Sequence, residues 1–430
     1  MPTTVPNLPA ELWLAIATEL ASISEDGRLP RKYMAIHRSF LVLYLDMEYR
    51  DIRWTKPCNG MMRQLGQLES DPTIASRVRS FELSTWFFIN RNQVQLSMLQ
   101  ELYSAILLHL STYARDAVKT TELTSTSKLF LDRMILAMRN MRNVVDFRVE
   151  LGGLAVVDSR RLLEASREAF GSNLRRLSVK TSALRFDPLL SLGRLKHLNQ
   201  LELDFDHEVE VYDRLVEKAE AKTLQRKVIP FLNRYRHSLR ALSIVSHSTV
   251  DLAPLFRSTG PFPLLRRFSA DICLSRQRLS DPEALAQFIH THQSSLVHLS
   301  LQPRVPGENL LTDEEVARQH LNSWIPIQQA LLKHRGGGGH DDVEQCSLRS
   351  LCTPVGDFDL CLEFISRFPH SLRHLSLTDS SLDSAQLEKM RKVFNKEVTI
   401  STRADGKDLD NSRSGRDSLQ VWVPSDLRSR

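Results

Sequence analysis

The chain has 430 residues, of which 42% are hydrophobic and 25% charged, a folded-protein composition that excludes an intrinsically disordered chain. Its 57 Lys and Arg against 51 Asp and Glu give a net charge of +6 and a pI of about 9.1. The excess is spread along the chain, so there is no basic tail of the nucleic-acid-binding kind, and no run approaches the roughly 18 apolar residues that span a bilayer.

The first expected element opens at Asn7-Leu8-Pro9-Ala10-Glu11-Leu12. Pro9 suits a first helical turn, where its missing N–H costs nothing, and Glu11 is favoured near the positive helix N-terminus. Leu12, Ile16 and Leu20 then recur every four residues, with Trp13 and Ala17 widening the stripe. A polar break is expected at Ser22–Arg28. A second helix is expected from Arg31 to about Glu48, on the spacing of Tyr33, Ile36, Phe40, Leu43 or Tyr44, and Met47. Tyr49-Arg50-Asp51-Ile52-Arg53-Trp54 closes this block.

Further along, one frame repeats: apolar, two variable, apolar, one variable, apolar. Clear copies start at Leu174, Leu198, Leu239, Leu296 and Leu372, and weaker ones at Val78, Val144, Leu265 and Leu348. Arg recurs after the first apolar residue, as at Arg175 and Arg240. Ser recurs between the last two, as at Ser178 and Ser243. The alternation ending each copy predicts a short strand, one side facing a core. Helices are expected between the strands, at Ser159–Phe170, Pro282–His292 and Asp357–Phe368. Three insertions interrupt the series. Residues 90–140 carry helical patterns at Leu96–Leu110 and Leu129–Met138, separated by a Thr/Ser-rich link at Lys119–Ser127. Residues 211–237 read as a long charged helix broken near Pro230. Residues 312–335 read as another helix, ending at the Gly336–Gly339 loop. A last helix is expected at Ser384–Glu397, then the polar stretch Thr402–Ser418, then a capping strand at Leu419–Val423.

Two resemblances follow from these residues. The N-terminal block resembles an F-box: Leu8, Pro9, Glu11, Leu12, Ile16 and Leu20 match its opening. Arg38, Ser39, Phe40, Tyr49, Arg50, Asp51 and Ile52 match its later part, as in fungal members. Pro30–His37 stands where the family carries Leu-x-x-Cys-x-x-Val. The recurrent frame resembles the strand of a leucine-rich repeat. It is irregularly spaced and lacks a consistent following Asn or Cys; Lys180-Thr181-Ser182 comes after Val179. Together they imply an α/β fold: an irregular leucine-rich-repeat-like solenoid preceded by an N-terminal helical F-box-like segment. The expected divisions are 5–55 for the F-box-like segment, 56–76 for a linker and 77–400 for the repeat-like domain. Residues 401–418 would be a flexible stretch, and 419–430 a tail or capping strand. A non-repeat α/β domain with several parallel strands stays open as the other fold reading.

The F-box resemblance implies docking of Leu8, Pro9, Glu11, Leu12, Ile16 and Leu20 on a Skp-type adaptor, and through it on a cullin–RING ubiquitin ligase. A block this short cannot bury two apolar stripes by itself, so a surplus is left for a partner or for capping the first repeat. An unknown target protein would meet the outward strand residues, represented by Arg175, Ser178, Gln200, Glu202, Arg240 and Ser243. Two other functions stay open. One is a repeat scaffold without a ubiquitin link. The other is nucleic-acid binding, the less favoured, motivated by the pI.

No enzyme is expected, and no cofactor or metal. Gly336–Gly339 is not followed by the Lys-Ser or Lys-Thr of a phosphate loop, and no His-Glu-x-x-His or Gly-x-Ser-x-Gly occurs. His334, His340, Cys346 and Cys352 fit no zinc spacing. His290 and His292 read as solvated or dipole-stabilised residues at a helix end. Five cysteines (Cys58, Cys273, Cys346, Cys352, Cys361) at unrelated spacings predict no disulfide framework, and nothing near Cys58 predicts an activated thiol. Glu11 and Glu19 interrupt the N-terminal apolar stretch, so it lacks the form of a signal peptide. The expected compartment is reducing, cytoplasmic or nuclear.

Overall fold

Each apolar frame becomes one parallel strand. The structure, a computed structural model, describes residues 9–24, 29, 31–34, 38–56, 58–86, 117–206, 214–248, 250–273, 278–304, 324–333, 347–368, 371–377, 382, 384–394 and 398–402. The strands are β1 Asp51–Trp54, β2 Ser80–Ser84, β3 Asp146–Glu150, β4 Arg176–Thr181, β5 Gln200–Phe205 and β6 Ala241–Ser246. They continue with β7 Arg267–Cys273, β8 His298–Arg304, β9 Ser350–Thr353, β10 His374–Leu377 and β11 Thr399–Thr402. All pair parallel, in chain order, in one 11-stranded sheet alternating with helices. The fold is therefore α/β.

The nine expected frames are β2–β10, and the frame sets their register. Phe147, Leu177, Leu201, Leu242, Phe268, Leu299, Leu351 and Leu375 stand side by side across neighbouring strands. All are buried. A slip of one residue would turn a strand's apolar set to the opposite face, so burial holds the alignment. The frame's first apolar residue, such as Leu174, Leu239 or Leu372, lies just before its strand and is buried as well.

Parallel sheets are usually buried on both faces and read as continuous apolar runs. Here burial alternates along β3 to β6, with a half-exposed residue between each buried pair. The buried side meets the helices: Phe147 lies edge-on to Phe170 of helix Val156–Phe170 at 5.3 Å, and Phe268 lies 4.9 Å from Phe288 of helix Pro282–Thr291. The opposite side carries polar side chains. One core runs from Tyr49 to Phe394 beneath the whole sheet.

Several expectations change. Tyr49, Ile52 and Trp54 repeat the apolar frame, and the sheet begins with them at β1 instead of at residue 77. The stretch 56–76 carries helices Asn59–Ser70 and Pro72–Ala75 in place of a linker. The Thr/Ser-rich link at Lys119–Ser127 lies inside a continuous helix, Ala117–Asn140, because a long helix carried by buried Leu131, Met134 and Met138 tolerates weak formers along part of its length. The charged helix is interrupted just before Pro230, as expected, and Pro230 lies in the first turn of the helix that follows. A wide turn at Leu224–Val228 joins Arg214–Thr223 to Ile229–Arg234 and accommodates the missing N–H. The last helix stops at Val393, and Thr399–Thr402 pairs as β11. Residues 324–333 are helical. The patterns at Leu96–Leu110 and Gly336–Gly339, most of the polar stretch Thr402–Ser418, and Leu419–Val423 lie outside the described residues.

His292 also departs from its reading as a solvated residue. It caps helix Pro282–Thr291 but is only 3% exposed, its ring tilted against Phe288 and Phe262. Nε2 accepts the Phe262 N–H at 2.8 Å, so Nδ1, 2.7 Å from the Phe288 carbonyl, carries the proton. Burial holds this imidazole below its ordinary pKa of 6.5, opposed by the bond to the Phe288 carbonyl. The unfolded chain therefore takes up a proton near pH 6.5 that the folded chain refuses. Stability is full above that pH and is lost as pH falls from about 6.5 towards the folded value. Urea midpoints of wild type and His292→Gln at pH about 7.5 and 5.5 should show the shallower acid dependence in the variant. Equal slopes would refute the neutral buried ring.

Candidate functional site

Two surfaces stand out, one at each level of the structure. The first is the N-terminal helix pair, α1 Ala10–Ile23 and α2 Arg38–Tyr49, with a short 3-10 turn at Arg31–Tyr33 between them. The expected helix from Arg31 is thus two elements. Tyr33 reaches the same small cluster as Phe40 from its own turn, so the apolar spacing does not require a continuous helix.

This pair has its own core of Trp13, Ala17, Leu29 and Phe40, separate from the core under the sheet. The Trp13 and Phe40 rings meet edge-on at 5.3 Å. α2 faces both ways. Leu43, Tyr44 and Met47 join the small cluster, while Leu45 and Tyr49 join the main core. Arg77 ties α2 down further, donating to the Val42 carbonyl at 3.3 Å and pairing with Asp46. α1 packs on α2, and Leu29 and Tyr33 join the same cluster.

At 100° per residue, Trp13, Ala17, Leu20 and Ala21 fall on one side of α1, and Leu12, Ile16 and Ile23 on an adjoining strip within about 40°. The first set is turned inward. In the second, Leu12 is 50% exposed and Ile16 40%, with Ile23 more exposed still. Leu14, Leu41 and Val42 are exposed too, so nearly half of the exposed large apolar residues described belong to these two helices. Among the six expected docking residues, Leu12 and Ile16 are exposed apolar groups. Pro9 caps the helix in the open, Glu11 is exposed in its first turn, Leu20 is half-buried against Trp13's cluster, and Leu8 lies outside the described residues.

The second surface is the polar face of the sheet. Ser178, Glu202 and Ser243 lie directly in line on β4, β5 and β6. Gln200 stands one row nearer the strand starts, and its side chain accepts from Arg176 Nε at 2.6 Å. These four predicted residues share one face. Arg175 and Arg240 do not. They precede β4 and β6, exposed on the rim where strands begin, and their carbonyls receive the N–H groups of Asn199–Gln200 and Arg266–Arg267. The alternation that turns Ser178 outward puts Arg175 off the strand.

Over β3–β5 this face is electrically matched. Asp146 pairs with Arg176 at 3.1 Å and Arg148 at 3.7 Å, and Lys180 bridges Glu150 and Asp206. Burial raises the Glu202 carboxyl above its ordinary range, while Arg148, the Ser178 hydroxyl and Arg176 pull it back. Over β7–β10 the face differs, and sequence reasoning did not single it out. Arg267, His298, Ser350 and His374 align in one row, and Ser269, Ser300, Cys352 and Ser376 in the next. Its signal was in the repeated frame, whose recurrent Ser occupies that second row.

Among the described residues no group of His, Cys, Asp and Glu could hold a metal ion, and no helix is long and apolar enough to cross a membrane. Cys352 sits on the polar face, while His334, His340 and Cys346 lie outside the described residues. Exposed Cys58 caps helix Asn59–Ser70, its sulfur accepting the Met61 N–H at 3.4 Å. No family model matches the chain, and no curated protein matches it either.

Proposed function

We propose that this chain is a non-catalytic substrate receptor of the F-box type, which joins a target protein to a cullin–RING ubiquitin ligase. The observation that carries the reading is the exposed Leu12–Ile16 strip. It lies on a helix whose other side is held by Trp13 and Ala17, within a block that resembles an F-box. An apolar helical strip with no cover of its own suits a groove on a Skp-type adaptor. Behind it, the frame-bearing strands are read as turns of an irregular leucine-rich-repeat-like solenoid, with the polar face turned to the target. The chain would make and break no bonds. It would act by holding the target near a ubiquitin-charged enzyme, which raises the effective concentration of the reacting groups.

A capping role for α1 would put its apolar strip against the first strands, but Leu12 and Ile16 stay open and the cluster of α1 is separate from that core. The test is capture of the full chain by purified Skp-type adaptor. Leu12→Ala/Ile16→Ala should weaken capture at least about tenfold, a loss of about 1.4 kcal/mol, with an unchanged melting profile. Absence of capture by folded wild type would overturn the proposal and leave a ubiquitin-independent scaffold.

A further inference from the structure

The backbone ladder fixes a row of residues one position before the strands. Arg79 bonds to the Arg50 carbonyl, Arg266 to that of Arg240, and Arg373 to that of Arg349. All six of these arginines are exposed at the strand-start rim, like Arg175. None forms an ion pair among the described residues. Around β6–β10 the basic groups spread from the rim onto the face: Arg267, His298 and His374 occupy the first outward row. Over these strands the first two outward rows hold no carboxylate. Asp271 lies two residues beyond Ser269, in the third.

Helix C-termini favour nearby cations, and this rim receives them, so the dipole alone accounts for arginines at the edge. It does not account for Arg267 and His298, which lie on the face turned away from the helices. There the like charges crowd. Burial, with Arg176, disfavours the charged form of Arg267. Burial, then Arg267, His374 and Arg349, disfavour that of His298. A bound anion would favour the charged forms and oppose both burial and the neighbouring cations.

We infer that the starts of β6–β10 form a cationic cradle for an extended, carboxylate-rich stretch of a partner polypeptide. From β6 to β10 are four strand steps of about 4.8 Å, about 19 Å in all. An extended chain covers that in about six residues. Guanidinium groups bind carboxylates through paired, charge-assisted hydrogen bonds. The Ser269, Ser300 and Ser376 hydroxyls add donors beside them. Single-stranded nucleic acid would call for large aromatic platforms on which bases stack, and the outward positions over β6–β10 hold Arg, His, Ser, Ala, Val, Cys, Asp and Gln but no Phe, Tyr or Trp. That the stretch belongs to a ligase target rests on the function proposed above; the binding itself does not.

The test uses the full chain and a labelled peptide of alternating Glu and Ser, about ten residues long, followed by fluorescence anisotropy. A single-stranded oligonucleotide of equal charge is the competitor. The peptide should bind, and Arg266→Glu/Arg349→Glu/Arg373→Glu should weaken it at least about tenfold. The corresponding Gln triple variant should fall in between, and Arg50→Glu/Arg79→Glu should leave binding nearly unchanged. The Glu triple variant should keep the wild-type melting profile, which reports its folding, and should keep adaptor capture. Loss of capture in Leu12→Ala/Ile16→Ala with peptide binding kept would leave this cradle standing whatever the fate of the ligase role. No peptide binding, tighter binding of the oligonucleotide, or equal weakening by Arg50→Glu/Arg79→Glu would overturn the inference.

Discussion

Phe288→Ala should lower the unfolding free energy by about 3–5 kcal/mol, the range for removing a fully packed aromatic side chain. Its ring lies 4.9 Å from Phe268, 4.5 Å from His292, 5.7 Å from Phe256 and 6.2 Å from Phe262. Those partners come from β7, helix Ala253–Ser258, the loop before β7 and the cap of its own helix. The ring therefore joins four separate pieces of chain, and none can close the void without leaving another partner. Because β6, β7 and β8 follow one another in the sheet, this cluster also holds the strands that present Arg267 and His298. Urea unfolding should show a lower midpoint with an unchanged slope. A loss under about 1 kcal/mol would mean that the site collapses around the gap and that this cluster does not hold β7 in place.

The sheet was legible because its signal is redundant. Leu177 and Val179 obey a period of two with Leu174 three residues ahead, the set recurs as Leu198, Leu201 and Leu203, and register follows from the same residues. β1 shows how a true signal is lost. Tyr49, Ile52 and Trp54 fit the frame, but the same letters also fit the end of the F-box-like motif, and motif assignment displaced periodicity. β11 gave too little pattern: Ile400 is aligned with Leu375, but polar Thr402 stands opposite Leu377. The face of α1 was ambiguous for a different reason. Leu12, Trp13, Ile16 and Ala17 cover about 140° of the helix, and an apolar arc that wide does not say which edge is inside. Trp13 decided it, as the largest group able to fill the gap against Phe40. Pairwise cancellation of charge on β3–β5, and its failure on β7–β10, depend on strand adjacency that no linear reading supplies.

Trp13→Ala should detach α1 while leaving the sheet folded. The side chain is 7% exposed and supplies the largest buried surface in a cluster of four buried residues. Burial of one such residue contributes about 1.5–3 kcal/mol, and ordering each backbone residue of the helix costs about 1–2 kcal/mol. A helix of 14 residues held by so few contacts is marginal. Truncating a buried Trp costs about 3–5 kcal/mol, more than Ala17, Leu29 and Phe40 can offset once the central ring is gone. α2 should stay, because Tyr49 and Leu45 lie in the main core and Arg77 holds its backbone. Hydrogen exchange should then rise to nearly unprotected rates across Ala10–Ile23 alone, with β1–β10 unchanged. Adaptor capture should fail although Leu12 and Ile16 are untouched, and Trp13→Phe, which keeps a ring against Phe40, should restore part of it. Capture that survives while α1 exchanges freely would show that this helix is not the docking element. An α1 that stays protected would show instead that it is held by more than the Trp13 cluster.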